Sequence, residues 1–316
     1  MKRPRVIFFG SPSFAVPALQ RLTSVADVVA VVSQPDRPSG RGQALSEPEV
    51  ARAARQLEGP VSVLQPVKIR TPELAAELCA FAADLFVVVA YGRILPQSLL
   101  DLPRLGAWNV HASLLPRLRG AAPIQWAIIN GDTESGVSIM RLEAGLDTGP
   151  VAACSVTPIR DDDTAGTLST RLAAQGAELL IDVLARIVDG TVQLTRQDDE
   201  RATLAPLLRK EDGHLDFTQP ARRVCARARG VDPWPGAMAL LAGQPVKLFS
   251  PRVAAIEAGG RVEPGTVLGL DGAGLRIACG DGTAIRFDEV QSAGRKRMPA
   301  AAAAAGRTIP IGACFA

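Results

Sequence analysis

Roughly the first 190 residues alternate short apolar runs with stretches of helical apolar spacing, and this alternation restricts the possible folds more than any other feature. After its first residue, the run Asp84–Ala90 is continuously apolar, which is typical of a strand buried on both faces of a parallel sheet. The runs Arg5–Phe9 and Val28–Val32 are also rich in β-branched or aromatic residues. Strands separated by helices in this way predict a doubly wound α/β domain.

The same patterns predict the other elements of this domain. The further predicted strands are Val61–Leu64, Gly106–His111, Val137–Leu142 and Val151–Val156, and the predicted helices are Phe14–Leu22, Pro72–Phe81, Pro123–Ile129 and Thr164–Val188. Thr71 is the expected N-cap of the second of these helices, because a proline follows it at the first helical position. Asp163 is the expected N-cap of the last one.

A different pattern follows the charged segment Gln197–Lys210. A short helix is predicted at Ala221–Arg229, and five short strands broken by Gly and Pro are predicted at Ala237–Leu241, Val246–Ser250, Gly265–Leu270, Leu275–Ala278 and Ala284–Val290. Five short strands suit a small barrel or sandwich, such as an oligonucleotide-binding type barrel. We therefore expect one domain over residues 1–205, with a linker from about residue 190, and a second over residues 206–316.

The charge of the chain is distributed unevenly between these two parts. Residues 206–316 contain 15 Lys and Arg against 10 Asp and Glu, a net charge of +5, whereas residues 1–205 carry 20 against 22, a net charge of −2. A basic second domain favours a polyanionic partner, although an ordinary solvated surface also accommodates five surplus charges. With 30 arginines and five lysines in the chain, phosphate contacts would fall mostly to guanidinium groups.

Composition also restricts the chemistry and the location of the protein. The five cysteines are widely spaced and form no Cys-x-x-Cys pair, and only two histidines are present, so a zinc or histidine-rich metal centre is not expected. The apolar run Val6–Phe9 is too short for a signal peptide or a membrane span. We therefore expect a cytoplasmic protein that uses no metal.

Two polar side chains lie at the end of the predicted strand Gly106–His111. Asn109 and His111 are two residues apart, so they point to the same face at the carboxyl end, where open α/β sheets bind ligands. Asp147 in Gly145–Gly149 is either a turn former or a carboxylate for the same site. An amide, an imidazole and a carboxylate together could polarise a carbonyl group and move a proton, which is the chemistry of acyl transfer to nitrogen.

Two loops invite a nucleotide or nucleic-acid interpretation. The turn Gly10–Phe14 follows the first strand but contains neither G-x-G-x-x-G nor a phosphate-loop motif, so we do not expect a dinucleotide there. The loop Gln34–Gln43 carries Arg37 and Arg41. It is either a surface loop with solvated charges or an arm that orders on nucleic acid, and composition does not choose between the two.

The motifs around these residues resemble those of the folate-dependent formyltransferases. The resemblance rests on Asn109, His111 and Ser113–Pro116 followed by Arg119-Gly120, together with Gly145–Gly149. Five further segments resemble the members of that family that act on methionyl-tRNA, and these are Phe9–Pro12, Gln34–Gly42, Ala90–Pro96, Asp232–Ala237 and Gly294–Met298. The resemblance implies a Rossmann-like formyltransferase domain and a C-terminal β-barrel domain similar to the oligonucleotide-binding fold.

The resemblance also implies a reaction, in which the formyl group of the co-substrate 10-formyltetrahydrofolate passes to the α-amino group of initiator methionyl-tRNA. Asn109 and His111 would stabilise the oxyanion, and Asp147 would hold His111 and assist proton transfer. The residues expected to bind the folate are Ser113, Leu114, Leu115, Pro116, Tyr91, Gly92 and Ile94. Those expected to bind tRNA are Arg37, Arg41, Lys296 and Arg297. No metal is implied, and a monomer is expected.

One departure from the family pattern concerns the loop that bears Arg41. Lysines often follow the Gly-Arg-Gly element in the family, whereas this chain has Gln43–Glu47, which weakens the electrostatic contribution of the loop. Two alternatives remain open: a formyltransferase that acts on a nucleotide-linked amino sugar, and a non-catalytic tRNA-binding protein. The basic second domain argues against the first, and the intact trio of Asn109, His111 and Asp147 argues against the second.

Overall fold

A computed structural model describes residues 3–39, 44–254, 262–272, 274–306 and 308–316. The chain forms two compact units. The first contains residues 1–123, 135–158 and 169–206, and the second contains residues 124–134, 159–168 and 207–316. In the described residues, no helix has both the length and the apolar character of a membrane-spanning segment. The domain boundary at residue 205, as a limit of independent folding, stays a prediction.

The first unit contains a seven-stranded sheet with the order β5-β2-β1-β6-β7-β8-β9. Its strands are β1 Arg5–Gly10, β2 Asp27–Val32, β5 Ser62–Leu64, β6 Leu85–Val89, β7 Ala107–His111, β8 Glu134–Arg141 and β9 Val151–Pro158. Strands β5, β2, β1, β6 and β7 pair in parallel, and β8 pairs with β7 in the antiparallel direction. The predicted doubly wound α/β domain is therefore confirmed.

All five residues of β6 are buried. This is the burial expected of a central strand that is covered on both faces, and it explains the continuous apolar run that predicted it. The rings of Phe9 and Phe86 pack with their centroids 5.2 Å apart, which joins β1 to β6 in the core. The core thus packs along the central strands β1 and β6.

The five predicted helices are all present, and two short helices at residues 49–54 and 97–100 have no counterpart among the predictions. The helices are α1 Val16–Val25, α2 Glu49–Ala54, α3 Pro72–Ala80, α4 Gln97–Leu100, α5 Pro123–Ile129, α6 Ala165–Val188, α7 Ala221–Gly230 and α8 Ala300–Ala305. Thr71 caps α3 as predicted, since its hydroxyl accepts from the Leu74 N–H at 3.3 Å. The predicted cap of α6 was wrong. The hydroxyl of Thr164 accepts from the Thr167 N–H at 3.2 Å, whereas Asp163 accepts from the Arg160 N–H.

A short hairpin lies where the sequence predicted only a loop. Strands β3 Arg37–Ser39 and β4 Ala44–Ser46 pair in the antiparallel direction, with Arg37 opposite Ser46. Residues 40–43, which include Arg41, lie outside the described residues. The short strands escaped prediction because Pro38 and the surrounding polar residues are typical of loops.

The second unit contains an antiparallel sheet with the order β10-β11-β14-β13-β12, and β15 pairs with β14. Its strands are β10 Met238–Leu241, β11 Gln244–Ala254, β12 Val267–Asp271, β13 Gly274–Ala278, β14 Ala284–Ser292 and β15 Met298–Pro299. The five predicted strands are all present, and β11 is longer than expected.

The end of the chain joins the two edge strands of this sheet. Phe315 bridges Leu241 at the end of β10, and Cys314 bridges Thr266 just before β12. The Ala316 N–H donates to the Leu240 carbonyl oxygen at 2.8 Å, and the Phe315 N–H donates to the Gly265 carbonyl oxygen at 2.9 Å. Both edges are therefore hydrogen-bonded, which is the arrangement of a closed barrel rather than an open sheet.

Candidate active site

Strand β7 places two polar side chains on one face of the sheet. Asn109 is half-buried and His111 is 5% exposed, while the intervening Val110 points to the opposite face and is also buried. In the described part of the chain, the Asn109 amide makes no hydrogen bond, so its two N–H donors are available to a ligand. The predicted pairing of Asn109 and His111 on one face is confirmed.

The protein contacts both nitrogens of the His111 ring. Nε2 lies 3.0 Å from the Leu118 carbonyl oxygen, and because a carbonyl oxygen can only accept, Nε2 carries the hydrogen. Nδ1 lies 3.7 Å from Oδ2 of Asp147. In the neutral ring Nδ1 therefore holds a lone pair, and a proton taken up there would face a carboxylate.

Asp147 is held in an unusual backbone conformation. Its φ is +53°, in the left-handed region, which costs a non-glycine residue roughly 1–2 kcal/mol. Its Oδ2 accepts from the Gly120 N–H at 2.9 Å, and its side chain is 13% exposed. A Cβ on Gly149 would overlap the Arg141 carbonyl oxygen, so the last glycine of Gly145–Gly149 is needed for the loop to close.

The segment Ser113–Pro116 forms a turn that follows β7. The Ser113 hydroxyl donates to the Arg117 carbonyl oxygen at 2.6 Å, and the residue is 1% exposed. Ser138 on β8 holds the turn, since its hydroxyl donates to the Ser113 carbonyl oxygen at 2.7 Å and accepts from the Leu115 N–H at 3.1 Å. The Ser113 hydroxyl thus builds the turn, and the half-buried side chains of Leu114, Leu115 and Pro116 are more accessible to a ligand.

Of the other residues predicted to bind folate, Ile94 lines a cavity. The cavity has a volume of about 690 Å³, and its walls include Thr71, Ala75, Ile94, Leu95, Pro96 and Ala144. Ile94 is part of the cavity wall and is 54% exposed, so its side chain is accessible to a ligand. Ala144 belongs to the loop that carries Asp147, three residues further on.

Tyr91 lies in the core and not in the wall of this cavity. It is 2% exposed, and its ring packs edge-on against Phe9 with the centroids 5.5 Å apart. Burial raises the pKa of Tyr91, and the charge of Arg93 opposes this shift. Its hydroxyl is buried without a hydrogen-bond partner among the described residues. The adjacent Gly92 is exposed and has a φ of +81°, which turns the chain towards Ile94.

The residues predicted to bind tRNA differ in how free their charges are. Arg37 is exposed, and its Nη2 donates to Oε1 of Gln34 at 3.2 Å. Lys296 is exposed. The Arg297 guanidinium forms an ion pair with Glu289 and lies 4.1 Å from the centroid of the Phe249 ring. Arg41 is outside the described residues.

A hydrogen-bond network that no sequence pattern indicated lies beside Asp147. The amide nitrogen of Gln197 donates to the carbonyl oxygens of Asp147 and Gly149, at 2.8 and 2.7 Å. Oε1 of Gln197 accepts from Nε and Nη2 of Arg119, at 3.0 and 2.8 Å. No pattern in the sequence indicates a role for Gln197, which belongs to the polar segment predicted to be a linker.

In the described part of the chain, no three His, Cys, Asp or Glu side chains form a group that could hold a metal ion.

Comparisons with known proteins bear on the whole chain. A family model described as formyl transferase matches residues 4–184, and one described as formyl transferase, C-terminal domain, matches residues 207–308. The chain is 47% identical over 308 residues to the methionyl-tRNA formyltransferase of Sorangium cellulosum, which covers 98% of each protein.

Two solved structures share the fold at low sequence identity. HypX from Aquifex aeolicus, in complex with tetrahydrofolic acid, has a TM-score of 0.67 and 20% identity, and the match covers 98% of this chain and 48% of that one. The N-formyltransferase from Helicobacter canadensis, in complex with folinic acid and dTDP-3-aminofucose, has a TM-score of 0.66 and 17% identity, with 92% and 100% covered.

Proposed function

The chain belongs to the formyltransferase family, and on that premise we propose that it transfers the formyl group of 10-formyltetrahydrofolate to the α-amino group of methionine on initiator methionyl-tRNA. The observation that carries this proposal is the 47% identity, over 98% of both chains, to a protein named for that reaction. The named substrates serve translation initiation, so we place the protein in the cytoplasm.

Asn109 would stabilise the charge that develops on the formyl oxygen. As the amine attacks the formyl carbon, that oxygen becomes negative, and the free N–H donors of Asn109 can bind it. Such a donor is already in place on a rigid strand, so it needs little reorganisation during the reaction. This role fits an amide on β7 that makes no hydrogen bond to any residue the structure describes.

His111 and Asp147 would handle the proton that the amine loses. Nδ1 of His111 accepts this proton, while Asp147, at 3.7 Å, stabilises the resulting imidazolium, whose charge also favours the oxyanion. The new bond joins the amine nitrogen to the formyl carbon, and the bond that breaks joins that carbon to the folate nitrogen. The proton held by His111 then passes to that nitrogen as it leaves, so the ring returns to its starting state.

The cavity beside Ile94 is our candidate for the folate site. Its volume of about 690 Å³ is within the usual range for small-molecule sites. Its walls are mainly apolar, which suits the flat aromatic rings of a folate, and also include Arg70 and Gln97. Leu114, Leu115 and Pro116 would contact the donor close to the reacting carbon. Gly92 would act through the path of the backbone, and Tyr91 would support the wall from the core.

Each unit, taken by itself, carries cations that we propose as contacts for the acceptor. Arg37 belongs to β3 and Arg41 follows it in the sequence, and Lys296 and Arg297 belong to the part of the chain with a net charge of +5. The Glu289 carboxylate already neutralises part of the Arg297 charge, so Lys296 would contribute more to phosphate binding. We also propose that the protein acts as a monomer, and light scattering should then give its chain mass of 33.1 kDa.

One experiment tests the reaction and its acceptor together. The protein is incubated with 10-formyltetrahydrofolate and either initiator methionyl-tRNA or a nucleotide-linked amino sugar, and the products are examined by mass spectrometry. We expect methionine released from the tRNA to gain one formyl group. Formylation of the amino sugar alone would overturn the proposal, and so would the absence of any formylated product.

A further inference from the structure

We propose that Gln197 is a positioning residue for this reaction, because its amide fixes the backbone that aims Asp147 at His111. The inference rests on the proposed function. Gln197 does not contact His111 itself, and its four hydrogen bonds end on the loop of Asp147 and on Arg119. It therefore acts through the residues that would carry out the chemistry.

The hydrogen-bonding capacity of the Gln197 amide is completely used. A primary amide has two N–H donors and an oxygen with two lone pairs. Both donors go to carbonyl oxygens in the Asp147 loop, and both lone pairs accept from Arg119. Gln197 is 9% exposed and Arg119 is 7% exposed, so the protein interior constrains both side chains. The geometry leaves Gln197 a single satisfied orientation.

The backbone near Gln197 also holds the loop that contacts His111 and Asp147. Residues 197–205, here called the return segment, run beside Leu118 and Arg119. The Thr203 hydroxyl accepts from the Leu118 N–H at 2.9 Å, and the Thr203 carbonyl oxygen accepts from the Arg119 N–H at 2.8 Å. The Ala205 N–H in turn donates to the Arg119 carbonyl oxygen at 2.8 Å.

Both contacts that orient the reacting pair thus depend on the return segment. The Leu118 carbonyl oxygen accepts from His111, and the Gly120 N–H donates to Asp147. These two residues flank Arg119. The side chains of Gln197 and Asp199 bind the Arg119 side chain, and the backbone groups of Thr203 and Ala205 bind the Arg119 backbone. Gln197 is the one described side chain that bonds both to Arg119 and to the Asp147 loop. Gln197 thus sets the distance between the Asp147 loop and the loop that contains Leu118, Arg119 and Gly120.

The replacement Gln197→Glu separates these roles. Glutamate keeps an acceptor for Arg119 but replaces the two donors with an oxygen that the Asp147 and Gly149 carbonyl groups repel. We expect kcat to fall by about 10- to 100-fold, because small displacements of reacting groups slow the chemical step. The KM of each substrate should change by less than about threefold. Gln197→Ala should give a similar loss.

Gln175 provides a matched control in the same unit. Its amide accepts from the Thr157 hydroxyl at 2.6 Å and donates to the Ser155 hydroxyl and the Val156 carbonyl oxygen, on β9. Gln175→Ala thus removes a comparable set of hydrogen bonds, none of which involves His111, Asp147 or Arg119. We expect it to lower the Tm at least as much as Gln197→Glu does and to leave kcat unchanged. Equal losses of kcat in both variants would overturn the inference.

A spectroscopic measurement tests the positioning without any substrate. The chain has two histidines, His111 and His214, so the ¹⁵N signals of the imidazole rings are few and His214 is an internal reference. In Gln197→Glu, the His111 ring signals should shift or broaden while those of His214 stay in place. Unchanged His111 signals together with a kcat within about twofold of wild type would overturn the inference. Failure of the wild-type protein to form formylmethionyl-tRNA would instead refute the proposed function.

Discussion

Replacing Asp147 by Asn should slow the chemical step by about a hundredfold, corresponding to roughly 2.7 kcal/mol. The substitution keeps an oxygen that can accept from the Gly120 N–H but removes the negative charge 3.7 Å from Nδ1 of His111. Coulomb's law over this distance gives about 1 kcal/mol at the dielectric constant of water and about 4.5 kcal/mol at an effective value of about 20. Both side chains are largely buried, at 6% and 13% exposed, so the expected loss lies between these limits.

Single-turnover formylation at saturating concentrations of both substrates measures this step directly. Asp84→Asn is the matched control. Asp84 is also a partly buried carboxylate of the first unit, and it accepts from the Arg5 N–H and from Arg104. It directly precedes β6, which pairs in parallel with β7, so it lies at the amino ends of these strands, opposite the end that carries His111. The control should destabilise the fold without changing the single-turnover rate. An Asp147→Asn rate within about threefold of wild type would refute the ion-pair reasoning.

Four further substitutions test other parts of the proposal. Asn109→Ala should cost about 100-fold in the single-turnover rate, about 3 kcal/mol, with an unchanged Tm, because one oxyanion donor is lost; a rate near wild type would exclude that role. Tyr91→Phe should raise the free energy of unfolding in urea by about 1 kcal/mol, because it removes a buried hydroxyl that has no partner among the described residues. A higher KM for the folate would contradict a purely structural role of Tyr91. Lys296→Gln should reduce the slope of log Kd for tRNA against log salt concentration by about one. Arg297→Gln should reduce this slope by less, because Glu289 already pairs with Arg297. Equal slopes for wild type and Lys296→Gln would argue against phosphate binding by Lys296.

Elements with strong local signals were predictable from sequence. The apolar run that became β6 and the Thr71-Pro72 start of α3 appear where expected, because burial on both faces and helix capping are local requirements. The cap of α6 was assigned one residue too early, since Asp163 and Thr164 are both good capping residues. Only the path of the chain before the helix decides which of them has the cap geometry.

The closure of the barrel in the second unit could not be predicted from local sequence patterns. The sequence predicts its five strands, but the pairing of Phe315 with Leu241 in β10, and of Cys314 with Thr266 just before β12, joins segments far apart in sequence. Backbone hydrogen bonds between such segments have no side-chain signature. The short hairpin of β3 and β4 escaped prediction for a related reason, because pairing overrode a composition typical of loops.

The sequence by itself determined which chemical groups are available at the candidate site. The two-residue spacing of Asn109 and His111 on a strand places an amide and an imidazole on one face, and the motif around Asp147 supplies a carboxylate. Only the tertiary structure decided what aims them: the Leu118 carbonyl oxygen, the Gly120 N–H, and a Gln197 side chain that meets Arg119 from 78 residues away. Every residue carries a carbonyl group and nearly every residue an N–H, so residue type does not reveal which of them will face an active site. That depends on the path of the folded chain.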